Sequence, residues 1–174
     1  MEKDTFHVYS NGFISLHGTL YKCALGEMGV TKEKKEGDKA TPIGSFPLRE
    51  VYYRSDRVRE PHTSLPKYEL SPNSGWCNDP DDPAYNTFVD LPYAGGHEEL
   101  WRDDEIYDLI VVMGYNDDPP VAGKGSALFV HVARPDFTPT AGCVALSFPD
   151  ILKMLEILRG DAEIAITTEE IHDP

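Results

Sequence analysis

A chain of 174 residues lies in the size range of one globular domain, and 40% hydrophobic residues with two Trp, nine Tyr and seven Phe supply one core, which excludes a disordered chain. The formal net charge of −14 excludes a nucleic-acid partner and docking on anionic lipid, since both need clustered Lys and Arg. The one basic run, Lys32-Glu33-Lys34-Lys35, is diluted by Glu33 and Glu36 and reads as a solvated hairpin tip.

The first half is strand-like. Residues 6–9, 13–17 and 19–25 are short β-branched and aromatic runs, and Ser10-Asn11-Gly12 between the first two is a hairpin signal. After a turn at Thr41-Pro42, residues 45–53 offer another strand. Residues 54–96 are rich in Pro, Asp, Asn and Ser without periodicity, and so long an irregular segment reads as the lid or wall of a substrate cleft. Within it, Trp76, Tyr85 and Asn86 are candidates to stack on or hydrogen-bond a peptide, against packing of the loop onto the body. His97 is expected to open a short helix before Trp101 and is a candidate second imidazole, against a surface or capping role.

Residues 107–113 form a continuous apolar run, expected as a buried strand, and residues 114–120 form the loop after it. The next strand ends at His131. If the two strands pair, Tyr115 and Asn116 come near the imidazole, where Asn116 orients it, contacts substrate backbone or merely stabilises its turn. Residues 148–158 carry apolar side chains at helical spacing, with Pro149 in the first turn and Gly160 past the end. A final strand over 161–166 and a frayed tail over 167–174 complete the chain. With no repeat or linker, residues 1–174 are expected to form a single domain. Its class is mainly β, a sandwich or partly closed barrel of mixed strands with one or two helices.

The chemistry concentrates in Ser126-Ala-Leu-Phe-Val-His131 and, after a Pro-containing loop, Thr140-Ala141-Gly142-Cys143. An apolar strand fixes the His131 imidazole on a rigid element, and the turn presents the Cys143 thiol beside backbone N–H groups of Gly142 and Cys143 suited to an oxyanion. A thiol with a pKa of about 8.5 is largely protonated at neutral pH and needs a base such as His131 to release it. Gly142 lets an acyl carbonyl approach the backbone closely. Asp136, Asn116 or a backbone carbonyl would orient the imidazole. The competing reading is a core strand in which Cys143 packs as a small hydrophobe.

Thr140-x-Gly142-Cys143 after a strand histidine resembles the signature of the YkuD-type L,D-transpeptidases. Upstream, Gly37-Asp38-Lys-Ala-Thr41-Pro42-Ile-Gly44-Ser-Phe46 is similar to the family's Gly-Asp-x-x-Thr-Pro-x-Gly-x-Phe segment, and the two motifs stand in the family's order within residues 26–166. The resemblance implies attack by Cys143 on a diaminopimelate-containing donor stem peptide. It further implies a thioacyl-enzyme, resolution by an amine of a second stem peptide, and covalent inhibition by carbapenem-type compounds. It also implies Thr140 and Ala141 as substrate-binding positions. Ala141 stands where many relatives carry a second His, Ala145 where many carry Arg, and the His131 to Cys143 loop is shorter; Arg134 in that loop is a candidate grip for a substrate carboxylate, against a solvated loop Arg. Gly75-Trp76-Cys77-x-Asp79-Pro80 and Tyr107-Asp108-Leu109 resemble segments of a compact subgroup.

Three cysteines allow a Cys23–Cys77 disulfide with Cys143 free, or three free thiols. Metal-ligand spacing is missing, so no metal and no cofactor are expected. Residues 1–7 lack a secretory signal's apolar core and no run is long enough for membrane insertion, whereas the family resemblance favours the periplasm. Two rivals to transpeptidation stand: an L,D-carboxypeptidase or amidase using the same Cys and His, and a non-catalytic peptidoglycan-binding module.

Overall fold

A computed structural model describes residues 3–172. The opening meander is β1 (Thr5–Tyr9), β2 (Phe13–Leu16) and β3 (Thr19–Ala24), followed by the two-residue pair β4 (Val30–Thr31) and β5 (Thr41–Pro42). A ten-residue strand, β6 (Gly44–Tyr53), comes next, then four short strands: β7 (Lys67–Glu69), β8 (Ser74–Cys77), β9 (Phe88–Asp90) and β10 (His97–Glu99). The chain finishes with β11 (Leu109–Met113), β12 (Phe129–Val132), β13 (Val144–Leu146), the helix α1 (Phe148–Ile157) and β14 (Glu163–Ile166).

The main sheet runs β11-β12-β13-β3-β2-β1-β14-β6-β7, and β6 pairs back onto β11 to close a barrel of mixed strands. Closure depends on the length of β6, whose residues 44–47 pair with β14 while residues 48–53 pair with β11. The pairs β1–β14 and β12–β13 are parallel, the rest of the ring antiparallel. Closing the sheet removes the exposed edges that an open sheet of this size would present. Among the described residues α1 is the one α-helix; Ser147 caps it by accepting the Asp150 N–H, and Ile151, Met154 and Leu155 face the core as their spacing predicts.

Side-chain alternation divides β11, β12 and β13 between two cores. Leu109, Val111, Val130, Val144 and Leu146 face the barrel interior with Phe6, Val8, Ile14 and Val51. Ile110, Val112, Phe129 and Cys143 face outward, yet they too are buried, beneath Trp76, Leu100 and Tyr107. This is why residues 109–113 are apolar at every position rather than at alternate ones.

The cover over the outward face is the segment expected to be irregular. It folds as a three-stranded antiparallel sheet, β10-β8-β9, with Trp76 set edge-on to Phe129 at 5.0 Å and Phe88 stacked on Tyr52 at 5.3 Å. The expected helix at His97 is therefore corrected to a strand. A helix over residues 98–101 would have a single turn, too short to nucleate, whereas pairing with β8 satisfies the backbone of residues 97–99. An arginine clasp fastens the following loop. Arg54 lies 3.4 Å over the Trp101 ring, donates to the Arg102 carbonyl at 2.8 Å and grips Asp56 bidentately, while Arg57 donates to the carbonyls of Asp103 and Asp104 and to the Asp108 carboxylate.

The tail is not frayed over its described part. Ser10 N–H donates to the Glu169 carbonyl at 2.8 Å, and the Asn11 side chain bonds both backbone groups of Ile171 at 2.7 and 3.2 Å; residues 173–174 lie outside the described residues. Cys23, Cys77 and Cys143 are all free thiols, Cys23 inside the barrel and Cys77 in the covering sheet.

Candidate active site

His131 and Cys143 reach the same cavity because of strand register. His131 on β12 pairs with Ala145 on parallel β13, and Cys143, two residues earlier, shares the Ala145 face. The two Cα positions are thus offset by about 7 Å along the strand and about 5 Å across it. A cavity of about 240 Å³ is lined by both side chains, with Glu98, Arg102, Tyr107, Arg134, Thr140 and Ala141 among its walls. Cys143 and His131 are only 7% and 6% exposed.

The imidazole is oriented by a backbone carbonyl: Nδ1 lies 3.1 Å from the Val132 oxygen, which can only accept, so Nδ1 carries the proton and Nε2 keeps its lone pair. Tyr107 sets the ring edge-on at 5.5 Å. Asn116 and Asp136 do not orient it. Asn116, at φ +51°, ties its own loop by bonds to Val121 and Gly125, and Asp136 bonds Thr138. The thiol at rest donates to the Ala127 carbonyl at 3.3 Å and accepts the Phe129 N–H at 3.4 Å.

The turn that carries Cys143 is braced from below by the upstream motif. Asp38 accepts hydrogen bonds from the Lys34 ammonium, Lys35 N–H and Ala40 N–H, and buried Thr41 Oγ1 accepts Gly26 N–H at 2.8 Å. Gly26 bridges Thr140, and the Ala40 carbonyl lies 2.8 Å from where a Cβ on Gly142 would sit. Gly142 also adopts φ +136°, so both close approach and backbone conformation require glycine there. Thr140 Oγ1 donates to the Cys143 carbonyl at 2.7 Å and accepts Gly142 N–H at 3.0 Å. In the resting structure the Gly142 amide is thus engaged within the turn by the Thr140 hydroxyl.

Burial sets the protonation states. It pushes the Cys143 thiol up to about 12 and the His131 imidazole down to about 4, so at neutral pH the dyad rests as thiol and neutral imidazole. His131 consequently links folding to pH. The unfolded chain binds a proton near 6.5 that the folded chain refuses until about 4, so stability present in full above 6.5 is lost as pH falls through that window. The contribution is about 3 kcal/mol. Urea unfolding across this window is expected to show that loss, and His131→Asn is expected to flatten it.

The other sequence candidates divide. Thr140, Ala141 and Arg134 line the cavity, Arg134 reaching Asp104 at 3.5 Å. Trp76, Tyr85 and Asn86 stand behind Cys143 as buried scaffold: Trp76 Nε1 donates to Asn86 Oδ1 at 3.0 Å, and Tyr85 donates to Glu36 at 2.7 Å and accepts Gly125 N–H at 3.0 Å. Tyr115 donates to the Lys124 carbonyl, and His97 bonds the Gly95 carbonyl; neither is among the cavity's lining residues. Sequence reasoning missed Glu98, Arg102 and Tyr107 as cavity walls. The one available signal was Tyr107 in the Tyr-Asp-Leu segment; nothing local marks the other two. Among the described residues no group of His, Cys, Asp and Glu is placed to hold a metal ion, and no helix is long and apolar enough to cross a membrane.

In comparisons with known proteins, the helical cell shape determining protein Pgp2 of Campylobacter jejuni is similar at 12% identity and a TM-score of 0.48, covering 96% of this chain and 48% of that one. A lysine-to-alanine variant of the same protein is similar at 14% identity and a TM-score of 0.48, covering 96% and 47%. The chain thus spans about half the length of these structures. No curated protein matches at a significant level. The family model described as the L,D-transpeptidase catalytic domain, YkuD, matches residues 3–166, a span that contains both motifs and every wall of the cavity. The chain belongs to the YkuD L,D-transpeptidase catalytic domain family.

Proposed function

We propose that this protein is a peptidoglycan L,D-transpeptidase that joins stem peptides through a Cys143 thioacyl-enzyme. The observation that carries the reading is a buried thiol and an imidazole with a bare Nε2 lining one cavity, inside a chain of this family. When a donor peptide fills the cavity, the Cys143 proton passes to His131 Nε2 and sulfur attacks the carbonyl. The carbon–nitrogen bond breaks, and the departing amine takes the proton from His131. An acceptor amine then attacks the thioester, loses its proton to His131, and the sulfur leaves and is reprotonated. The Cys143 N–H is the proposed oxyanion donor, with Gly142 N–H joining it by exchanging its bond to Thr140. Since stem peptides lie outside the cytoplasmic membrane, the proposed compartment is the periplasm, and a carbapenem is expected to acylate Cys143.

Mass spectrometry of diaminopimelate-containing muropeptides incubated with purified protein tests this. Joined muropeptides and a thioacyl mass on Cys143 are expected. Trimmed monomers alone would assign a hydrolase, and an unmodified Cys143 with neither product would assign a binding module.

A further inference from the structure

One wall of the cavity is a carboxylate without a cation. Glu98 on β10 is half-buried, and its Oε1 accepts the hydroxyl proton of Tyr107. No protein donor reaches Oε2 among the described residues, and no fully buried side-chain oxygen there lacks a partner, so Oε2 keeps solvent access on a residue that lines the cavity. Arg102 is the cation at hand, but its Nε and Nη2 are held by Asp104 at 2.8 and 2.7 Å and it makes no ion pair with Glu98. Arg134 also leans on Asp104. The protein thus places a half-buried carboxylate and two guanidiniums around one small cavity and leaves the carboxylate without an ion pair. A half-buried carboxylate in that position is costly unless a positive donor completes it.

We propose that Glu98 binds a non-reacting primary ammonium of the peptide substrate through Oε2, and so selects donor peptides that carry a free side-chain amine on the residue supplying the scissile carbonyl. Tyr107 is the positioning residue: its hydroxyl fixes the rotation of the Glu98 carboxylate while its ring sets the edge of His131. An ammonium satisfies Oε2 by a charge-assisted hydrogen bond, and a neutral amide in its place would leave the carboxylate desolvated and unpaired. The inference rests on the transpeptidase reading for its substrate, but not on turnover.

Calorimetry on Cys143→Ala, which binds without reacting, separates the two. The probes are a stem tetrapeptide with the diaminopimelate side-chain amine free and the same peptide acetylated at that amine. The free-amine peptide is expected to bind at least about tenfold more tightly. Adding Glu98→Gln is expected to bring the two within about twofold, and both Glu98→Asp and Tyr107→Phe, which keeps the carboxylate but frees its rotation, to leave an intermediate preference. Equal binding of both peptides, binding of neither, or a preference that survives Glu98→Gln with the protein folded overturns the proposal. Should Glu98→Gln not fold, a full tenfold preference in Glu98→Asp overturns it instead. If the preference holds while wild-type protein yields no thioacyl mass, the transpeptidase reading fails and the ammonium site stands.

Discussion

Cys143→Ala is expected to abolish thioacyl formation entirely, and His131→Asn to slow acylation by about 10²- to 10⁴-fold. The second figure follows from the resting state of the dyad. Many reactive cysteines carry a pre-formed thiolate, stabilised by positive charge, and such a thiol would lose little of its ionisation with one base removed. Here burial holds the thiol near 12 and the imidazole near 4, and the thiol proton points at the Ala127 carbonyl. Deprotonation therefore occurs with attack, and it needs an acceptor already in the cavity. His131→Asn removes that acceptor but leaves the thiol. Its residual acylation is expected to rise with pH towards about 12, as ionisation by hydroxide replaces the missing base. Stopped-flow or quenched mass spectrometry of a carbapenem adduct across pH measures this. A His131→Asn variant as fast as wild type at neutral pH would remove His131 from the mechanism.

Asn86→Ala is expected to cost about 3–5 kcal/mol of stability in denaturant unfolding, a large share of the total for a domain of this size. Asn86 is 6% exposed and uses its whole amide. Oδ1 accepts Trp76 Nε1–H and Ala127 N–H, both at 3.0 Å, and Nδ2 donates to the carbonyls of Tyr115 and Asn116 at 3.0 and 2.8 Å. Truncation strands two buried donors and places alanine at φ +59°, where asparagine is tolerated far better. Part of the loss should appear at the nucleophile. Ala127 itself sits at φ +54°, held there by Asn86, and its carbonyl receives the Cys143 thiol. Asn86→Asp keeps both accepting bonds but sets a buried second acceptor against the carbonyls of Tyr115 and Asn116, and is expected to be destabilised as well.

The dyad was legible in the sequence because each member lies in a short local pattern. An apolar strand ending in histidine has one way to present its ring, and Thr-x-Gly-Cys builds a turn whose hydrogen bonds close within three residues. The barrel strands were legible for the same reason, through alternation and the Asn11-Gly12 turn. The covering sheet was not, since β8, β9 and β10 are three or four residues long and buried by stacking on Tyr52 and Phe129 rather than by any period of their own. His97 misled for a related reason: a run of Glu-Glu-Leu-Trp has helical propensity, and only the edge of β8 beside it decides for a strand.

The same division runs through the active site. Residue order by itself determined that a thiol, an imidazole and a glycine turn belong together, because local backbone geometry carries that information over a dozen positions. Which groups face them was decided by tertiary structure alone. Glu98, Arg102 and Tyr107 reach the cavity only after a fifty-residue excursion folds back over the outer face of the barrel, where Arg102 pairs with Asp104. Charge pairing and burial depend on distances through space, and a linear pattern holds no record of distances that close only when two layers stack.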